Sequence, residues 1–153
     1  MRRPPTAAII RCVPNASRPR CRFVPWLVTP GRLWCSGRPI PYIDQVALDF
    51  PELMIVCSYV GYPWTEEMFA VARTYENVYI DASAHVINRL PQELIRFMKT
   101  VTGQRKVLFG ANYPMRTHTQ ALAGLDELLL SDEAHRDFLH GSAENVFGLE
   151  ENR

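Results

Sequence analysis

Three short apolar runs constrain this chain most: Leu53–Cys57, Val78–Ile80 and Val107–Phe109, which start about 25 to 29 residues apart. That interval fits a strand, a helical crossover and the return to a parallel strand. The runs are continuous rather than alternating, as strands covered on both faces are. Parallel strands with right-handed crossovers follow. Such a sheet binds ligands at the carboxyl ends of its strands, whether it is open or part of a closed barrel. The groups just past the runs are therefore the first candidates: Ser58 and Tyr59, Asp81 and His85, and Asn112 within Lys106–Met115.

The segments between the runs read as helices. Pro41 starts one whose apolar face is Ile43, Val46, Ala47 and Phe50, and Pro51 ends it. Thr65 or Pro63 opens a second through Tyr75, with Met68, Ala72 and Tyr75 inward and Glu66 and Glu67 at its positive end. A third starts at Pro91, turns Leu94, Phe97, Met98 and Val101 inward, and stops at Gly103. A fourth over residues 119–130 carries a stripe of Leu122, Leu125, Leu128 and Leu129. Ser131 caps a fifth through His140, and Ser142 caps a last one that ends at Gly148. The order is α-β-α-β-α-β-α-α, followed by the short last helix.

Charge divides the chain. Residues 1–38 hold eight Arg and no Lys, Asp or Glu, whereas residues 39–153 hold nine basic and sixteen acidic residues. Six of the twelve prolines fall in the first segment, which excludes a long helix there. Residues 1–36 are therefore expected to be an irregular basic extension, disordered or not native coding sequence, and residues 37–149 a folded unit. The four cysteines, at 12, 21, 35 and 57, form no C-x-x-C pair and read as free thiols of a reducing compartment. No apolar run approaches the roughly 20 residues of a membrane span, and no secretory signal is present. The expectation is a cytoplasmic protein without membrane or nucleic-acid partners.

Each candidate group has a bland alternative. Asn112 offers an amide to a ligand, or a weak oxygen to a hard metal, or is a turn residue. Tyr59 offers a phenol to a developing oxyanion, or packs at the sheet rim. His85 is a base or metal ligand, or an exposed loop residue. Asp81 faces the pocket or caps the next loop. Tyr62 and Trp64, in the turn after Tyr59, contact substrate or simply pack. His118 is a weaker candidate, and His135 and His140 read as surface groups on the last helices. No G-x-G-x-x-G, Walker, G-x-S-x-G or H-x-x-x-H pattern occurs, which removes most support for nucleotide binding and serine-hydrolase chemistry.

Taken together, Arg38–Asp44, Val46–Leu53, Gly61-Tyr-Pro-Trp64, Asn77–Asp81, Val107–Gly110, Tyr113-Pro114 and Asn145–Leu149 carry a resemblance. Residues 37–149 resemble the C-terminal half of the amidohydrolase-related family that includes aminocarboxymuconate-semialdehyde decarboxylase. The resemblance implies an α/β fold, the C-terminal half of a (β/α)8 TIM barrel of about three to four parallel βα units, in a chain of 153 residues where a closed barrel takes about 250. It implies hydrolase or carboxy-lyase chemistry on a small-molecule carboxylic acid, with a divalent, zinc-like metal. In the family the metal ligands are a His-x-His after the first strand, a His after the fifth and an Asp after the eighth, and a further His after the sixth acts on substrate.

The chain departs from that pattern. Phe23–Ser36, where the fifth-strand His belongs, has no His; the sixth-strand position reads Ser58-Tyr59; the eighth-strand Phe-Gly-x-Asp-Tyr-Pro reads Phe109-Gly-Ala-Asn112-Tyr-Pro114. A branch of the family carries Asn at that last position, so Asn112 is either inherited or a loss. No metal ligand and no cofactor is expected for this chain. The expected catalytic groups are Asn112, Tyr59 and His85, and the substrate-binding ones Asp81, Tyr62 and Trp64. Three readings follow: a truncated family member with little or no activity, an oligomeric enzyme with a metal-independent pocket, or a non-enzymatic interaction module. Half a barrel has open edges and an uncovered interior, which a homo-oligomer would cover.

Overall fold

The computed structural model describes residues 9–12, 21–24, 43–62, 64–83 and 85–149. Five strands form one sheet in chain order: β1 (Ile9–Cys12), β2 (Cys21–Val24), β3 (Met54–Cys57), β4 (Val78–Asp81) and β5 (Val107–Leu108). β1 and β2 are antiparallel, and β2 to β5 run parallel. The α/β expectation of parallel βα units is met in β3, β4 and β5. β1 and β2 lie in the segment expected to be irregular. The rest of residues 1–36, with Pro41 and Pro63, lies outside the described residues.

Alternation sorts the strands into two faces. Ile55, Cys57, Val78, Ile80 and Val107 join the main core. Against them pack Ile43 and Ala47 of α1 (Ile43–Asp49), Met68, Phe69 and Ala72 of α2 (Thr65–Thr74), and Leu94, Phe97 and Met98 of α3 (Gln92–Met98). Each Val, Ile, Leu, Phe or Met among them contributes about 1.5–3 kcal/mol by leaving water. Two expected core residues lie outside. Phe50 is 51% and Val101 86% exposed, because α1 ends at Asp49 and α3 at Met98, before the apolar period reaches them.

The C-terminal third departs further. The helix expected over 119–130 is split into α4 (His118–Leu122) and a 3₁₀ turn over Leu125–Leu128, with Gly124 at φ 85 between them. Leu129 then takes φ 50 and is 78% exposed, so the leucine stripe does not form. Ser131 does cap α5 (Asp132–Arg136), accepting from Ala134 N at 3.2 Å. Ser142 caps nothing. It sits inside a continuous helical path from α5 through a π-helical turn (Asp137–Gly141) into α6 (Ser142–Phe147), and Gly148 at φ 61 ends that path as expected.

This path answers the open-edge problem at β5. In the wider π register Ser142 N–H bonds to Asp137 O, which leaves Phe138 O for Phe109 N at 3.0 Å, just past β5. The second face is not bare either. Val56, Tyr79 and Leu108 are buried and cluster with Val146, with Ala143 and Phe147 of α6 packed against them. The expected uncovered interior is thus filled along these strands by the chain's own last helix.

Two buried donors fix the amino ends of the strands. Asn77 Nδ2 reaches the carbonyls of Ala47, Phe50 and Leu53 at 3.3, 3.0 and 2.9 Å. Lys106 Nζ reaches those of Tyr75, Glu76 and Val78 at 2.9, 2.6 and 3.2 Å, and lies 4.7 Å from the centre of the Tyr79 ring. Burial pushes the Lys106 ammonium down to about 8, while the charge of Glu76 holds it up.

Lys106→Met should cost about 2–3 kcal/mol, the scale of the charge-assisted bonds lost. The measurement is a urea midpoint that falls at constant slope. The folded value near 8 lies below the ordinary 10.5, so above about 8 the folded chain binds fewer protons at this site than the unfolded one. Between pH 8 and 9 the wild type should therefore gain stability relative to Lys106→Met.

Candidate functional site

The strand ends carry the candidate groups by register. Cys57 pairs with Ile80 and Asp81 with Leu108, so Ser58 stands beside Asp81 one step on, both turned to the face that bears Val56 and Tyr79. Ser58 is buried and Asp81 partly buried. Asp81 Oδ1 accepts from Ser83 N at 2.9 Å and Oδ2 from Ser83 Oγ at 2.5 Å. Burial raises the Asp81 carboxyl above its usual 3.8; the hydrogen bonds from Ser83 and Ser58 and the charge of His85 oppose that. Asp81 thus caps the loop that follows β4.

Gly110 lets the β5 end pass close to this cluster. A Cβ there would lie 2.9 Å from Ser83 Cβ and 3.1 Å from Asp81 Oδ1. Two residues on, Asn112 holds φ 59, and its Nδ2 donates to Tyr59 Oη at 3.2 Å and approaches Met115 Sδ at 3.6 Å. Tyr59 itself has φ 58 and begins a left-handed turn through Val60 and Gly61. Gly61 is required there: a Cβ would meet Met68 Cβ at 2.7 Å, so α2 braces the turn. The next residues of that turn, Tyr62 and Trp64, donate their N–H groups to Tyr59 O and Gly61 O at 3.0 and 2.8 Å.

The structure brings Tyr59 to Asn112 and places His85 where its charge acts on Asp81. It leaves Tyr62 60% exposed and Trp64 half-buried. His118 is exposed and stacks on Tyr113 with ring centres 6.2 Å apart, and His140 pairs with Glu144 at 3.0 Å on the surface. His135 lines a shallow surface groove with Leu125, Asp126, Leu129, Leu130 and Asp132. Sequence reasoning passed over Ser83 and Gly110. The available signal was Asp81-x-Ser83, the spacing at which an Asp side chain bonds the backbone two residues on.

The donor set does not suit a zinc-like dication. The β5 end supplies a neutral amide engaged by a phenol, the β3 end a hydroxyl and a phenol, and both oxygens of Asp81 accept from Ser83. Among the described residues no three His, Cys, Asp or Glu side chains come together to hold a metal ion. A structural or catalytic zinc takes three or four such ligands. No described helix is long and apolar enough to cross a membrane.

A buried carboxyl with a raised pKa holds its proton longer in the folded chain, so its stabilising contribution is lost as pH rises from about 3.8 through the folded value. Asp81→Asn removes that loss and keeps an acceptor for Ser83 N. The variant should therefore gain melting temperature relative to wild type as pH is raised from 3.8 to neutrality. A constant difference across that range would contradict the assignment.

Solved structures share this architecture. An uncharacterized TIM-barrel protein from Bordetella bronchiseptica is 30% identical, with a TM-score of 0.62 over 69% of this chain and 38% of that one. A zinc-bound amidohydrolase from Burkholderia multivorans is 14% identical, with a TM-score of 0.55 over 72% of this chain and 49% of that one. A dihydroxybenzoic acid decarboxylase from a Polaromonas species, bound to manganese and 2-nitroresorcinol, is 21% identical, with a TM-score of 0.53 over 72% and 37%. The last two show the fold alone, and the chain spans less than half the length of each of the three. No curated protein sequence matches it. The amidohydrolase family model matches residues 37–149, which take in β3, β4, β5 and every strand-end group described above. By that match this chain belongs to the amidohydrolase family.

Proposed function

We propose that this chain keeps the amidohydrolase strand-end pocket for a small carboxylic acid but has little or no metal-dependent hydrolase or carboxy-lyase activity as it stands. The observation that carries the reading is Asn112, whose amide donates to the Tyr59 phenol at the place where the family resemblance calls for a carboxylate. A neutral amide offsets none of a dication's charge and cannot act as a carboxylate base. Tyr59, Asp81, His85 and Asn112 remain as polar pocket groups, with Tyr62 and Trp64 at the rim.

A carboxylic acid is proposed by class, since the Polaromonas enzyme is a dihydroxybenzoic acid decarboxylase. In this chain His85 supplies a cation when protonated, and Tyr59 and Ser58 supply donors. None of these groups requires a metal to bind an oxygen.

The test is metal content and turnover of the purified chain after incubation with zinc or manganese. The expected result is less than one ion per chain and no decarboxylation of dihydroxybenzoic acids above background. Stoichiometric metal that is lost in Asn112→Ala, or metal-dependent turnover, would overturn the reading.

A further inference from the structure

The strand ends are crossed by a contact between strands that are not neighbours. β4 lies between β3 and β5, so their ends are two strand spacings apart, about 9.6 Å. Tyr59 Oη and Asn112 Nδ2 nevertheless meet at 3.2 Å. Their side chains must reach toward one another past the end of β4, the strand that carries Asp81.

Both ends of this bridge are held in left-handed backbone. Tyr59 and Asn112 have φ 58 and 59, and Val60 next to Tyr59 has φ 56. Left-handed backbone is tolerated by Asn but is costly for Tyr and for a β-branched residue. The turn keeps it because Gly61 packs against Met68 of α2 and Val60 is fully buried. Strain of this kind persists where surrounding structure over-determines it, and it concentrates at clamps and switches.

At the end of β4, Asp81 is set among Ser58, Ser83 and Gly110, with His85 as the charged neighbour. Asp81 is partly buried there, with both carboxyl oxygens engaged by Ser83.

We propose that the Tyr59–Asn112 bridge is a latch that closes the strand-end pocket over Asp81 in the ligand-free protein and opens to admit a ligand. Opening breaks one phenol–amide hydrogen bond, and an oxygen of the incoming ligand replaces it on either group. The left-handed turn holds Tyr59 in reach of Asn112 while the latch is shut. The latch rests on the pocket reading above only for where the ligand sits.

The test follows the Asp81 carboxyl by ¹³C NMR titration of the full, ligand-free chain, with the signal assigned by its loss in Asp81→Asn. Tyr59→Phe removes one oxygen and keeps the ring, and Asn112→Gly suits the left-handed backbone at that position. In both, the Asp81 midpoint should fall toward the ordinary value as water reaches the carboxyl, and the double variant should fall no further than the singles. A midpoint unchanged in either single variant would overturn the latch. Metal binding or turnover would overturn the functional reading and leave this titration unaffected.

Discussion

Six backbone carbonyls at the amino ends of the strands are gathered by two side chains, and the sheet depends on that. Asn77 collects Ala47, Phe50 and Leu53; Lys106 collects Tyr75, Glu76 and Val78. These carbonyls belong to the ends of α1 and α2 and to the turns into β3 and β4. Phe50 O and Tyr75 O also accept from Leu53 N and Val78 N, and a buried carbonyl left without any donor costs about 1–3 kcal/mol, a large share of the stability of a domain. The ammonium has three N–H groups for three acceptors, while the amide of Asn77 shares two among three. With the amino ends fixed this way, the carboxyl ends are left to hold groups that serve no packing need.

The same economy of polar partners explains how a partial barrel covers its β5 edge. An edge strand exposes N–H groups that invite pairing with another chain. Here a π-helical turn shifts one helical bond by a residue, and the carbonyl so released takes the N–H of Phe109. Phe138 also packs edge-on against Phe109, with ring centres 5.7 Å apart. The helix that follows fills the face over Val56, Tyr79 and Leu108. Edge and interior are both handled by one C-terminal segment, which reduces the need for a second copy on this side of the sheet.

Legibility in the sequence followed the range of the interaction. β3, β4 and β5 were readable because burial on two faces leaves uninterrupted apolar runs, and α2 was readable because Met68 and Ala72 repeat at helical spacing. Phe50 and Val101 continue that spacing past the true helix ends, so periodicity alone placed them inside. Leu129 was lost to Gly124, whose left-handed backbone breaks the stripe before it is complete. Ser142 has the residue type of a cap but no helix start, since the π register carries the helix through it. Asn77 and Lys106 gave no local sign, because their acceptors lie 24 to 31 residues away. At the site, strand-end position located Tyr59, Asp81, His85 and Asn112; their pairing depends on strand order and register, which no single stretch of sequence contains.

The neutrality of Asn112 and the burial of Asp81 belong to one electrostatic argument. Two carboxylates that share a poorly hydrated site cannot both ionise without a cation between them. Where a dication is bound, both are tolerated and the metal sets their charge. In this chain the β5 end passes Asp81 closely enough that even a Cβ on Gly110 would lie 3.1 Å from its oxygen, and Asn112 follows two residues later. A carboxylate at 112 would add a second acid to strand ends where burial already disfavours the ionisation of Asp81. An amide there adds no charge and donates to Tyr59 instead. The amide at 112 therefore fits the proposed metal-independent pocket, because it adds no second carboxylate to the strand ends that carry Asp81.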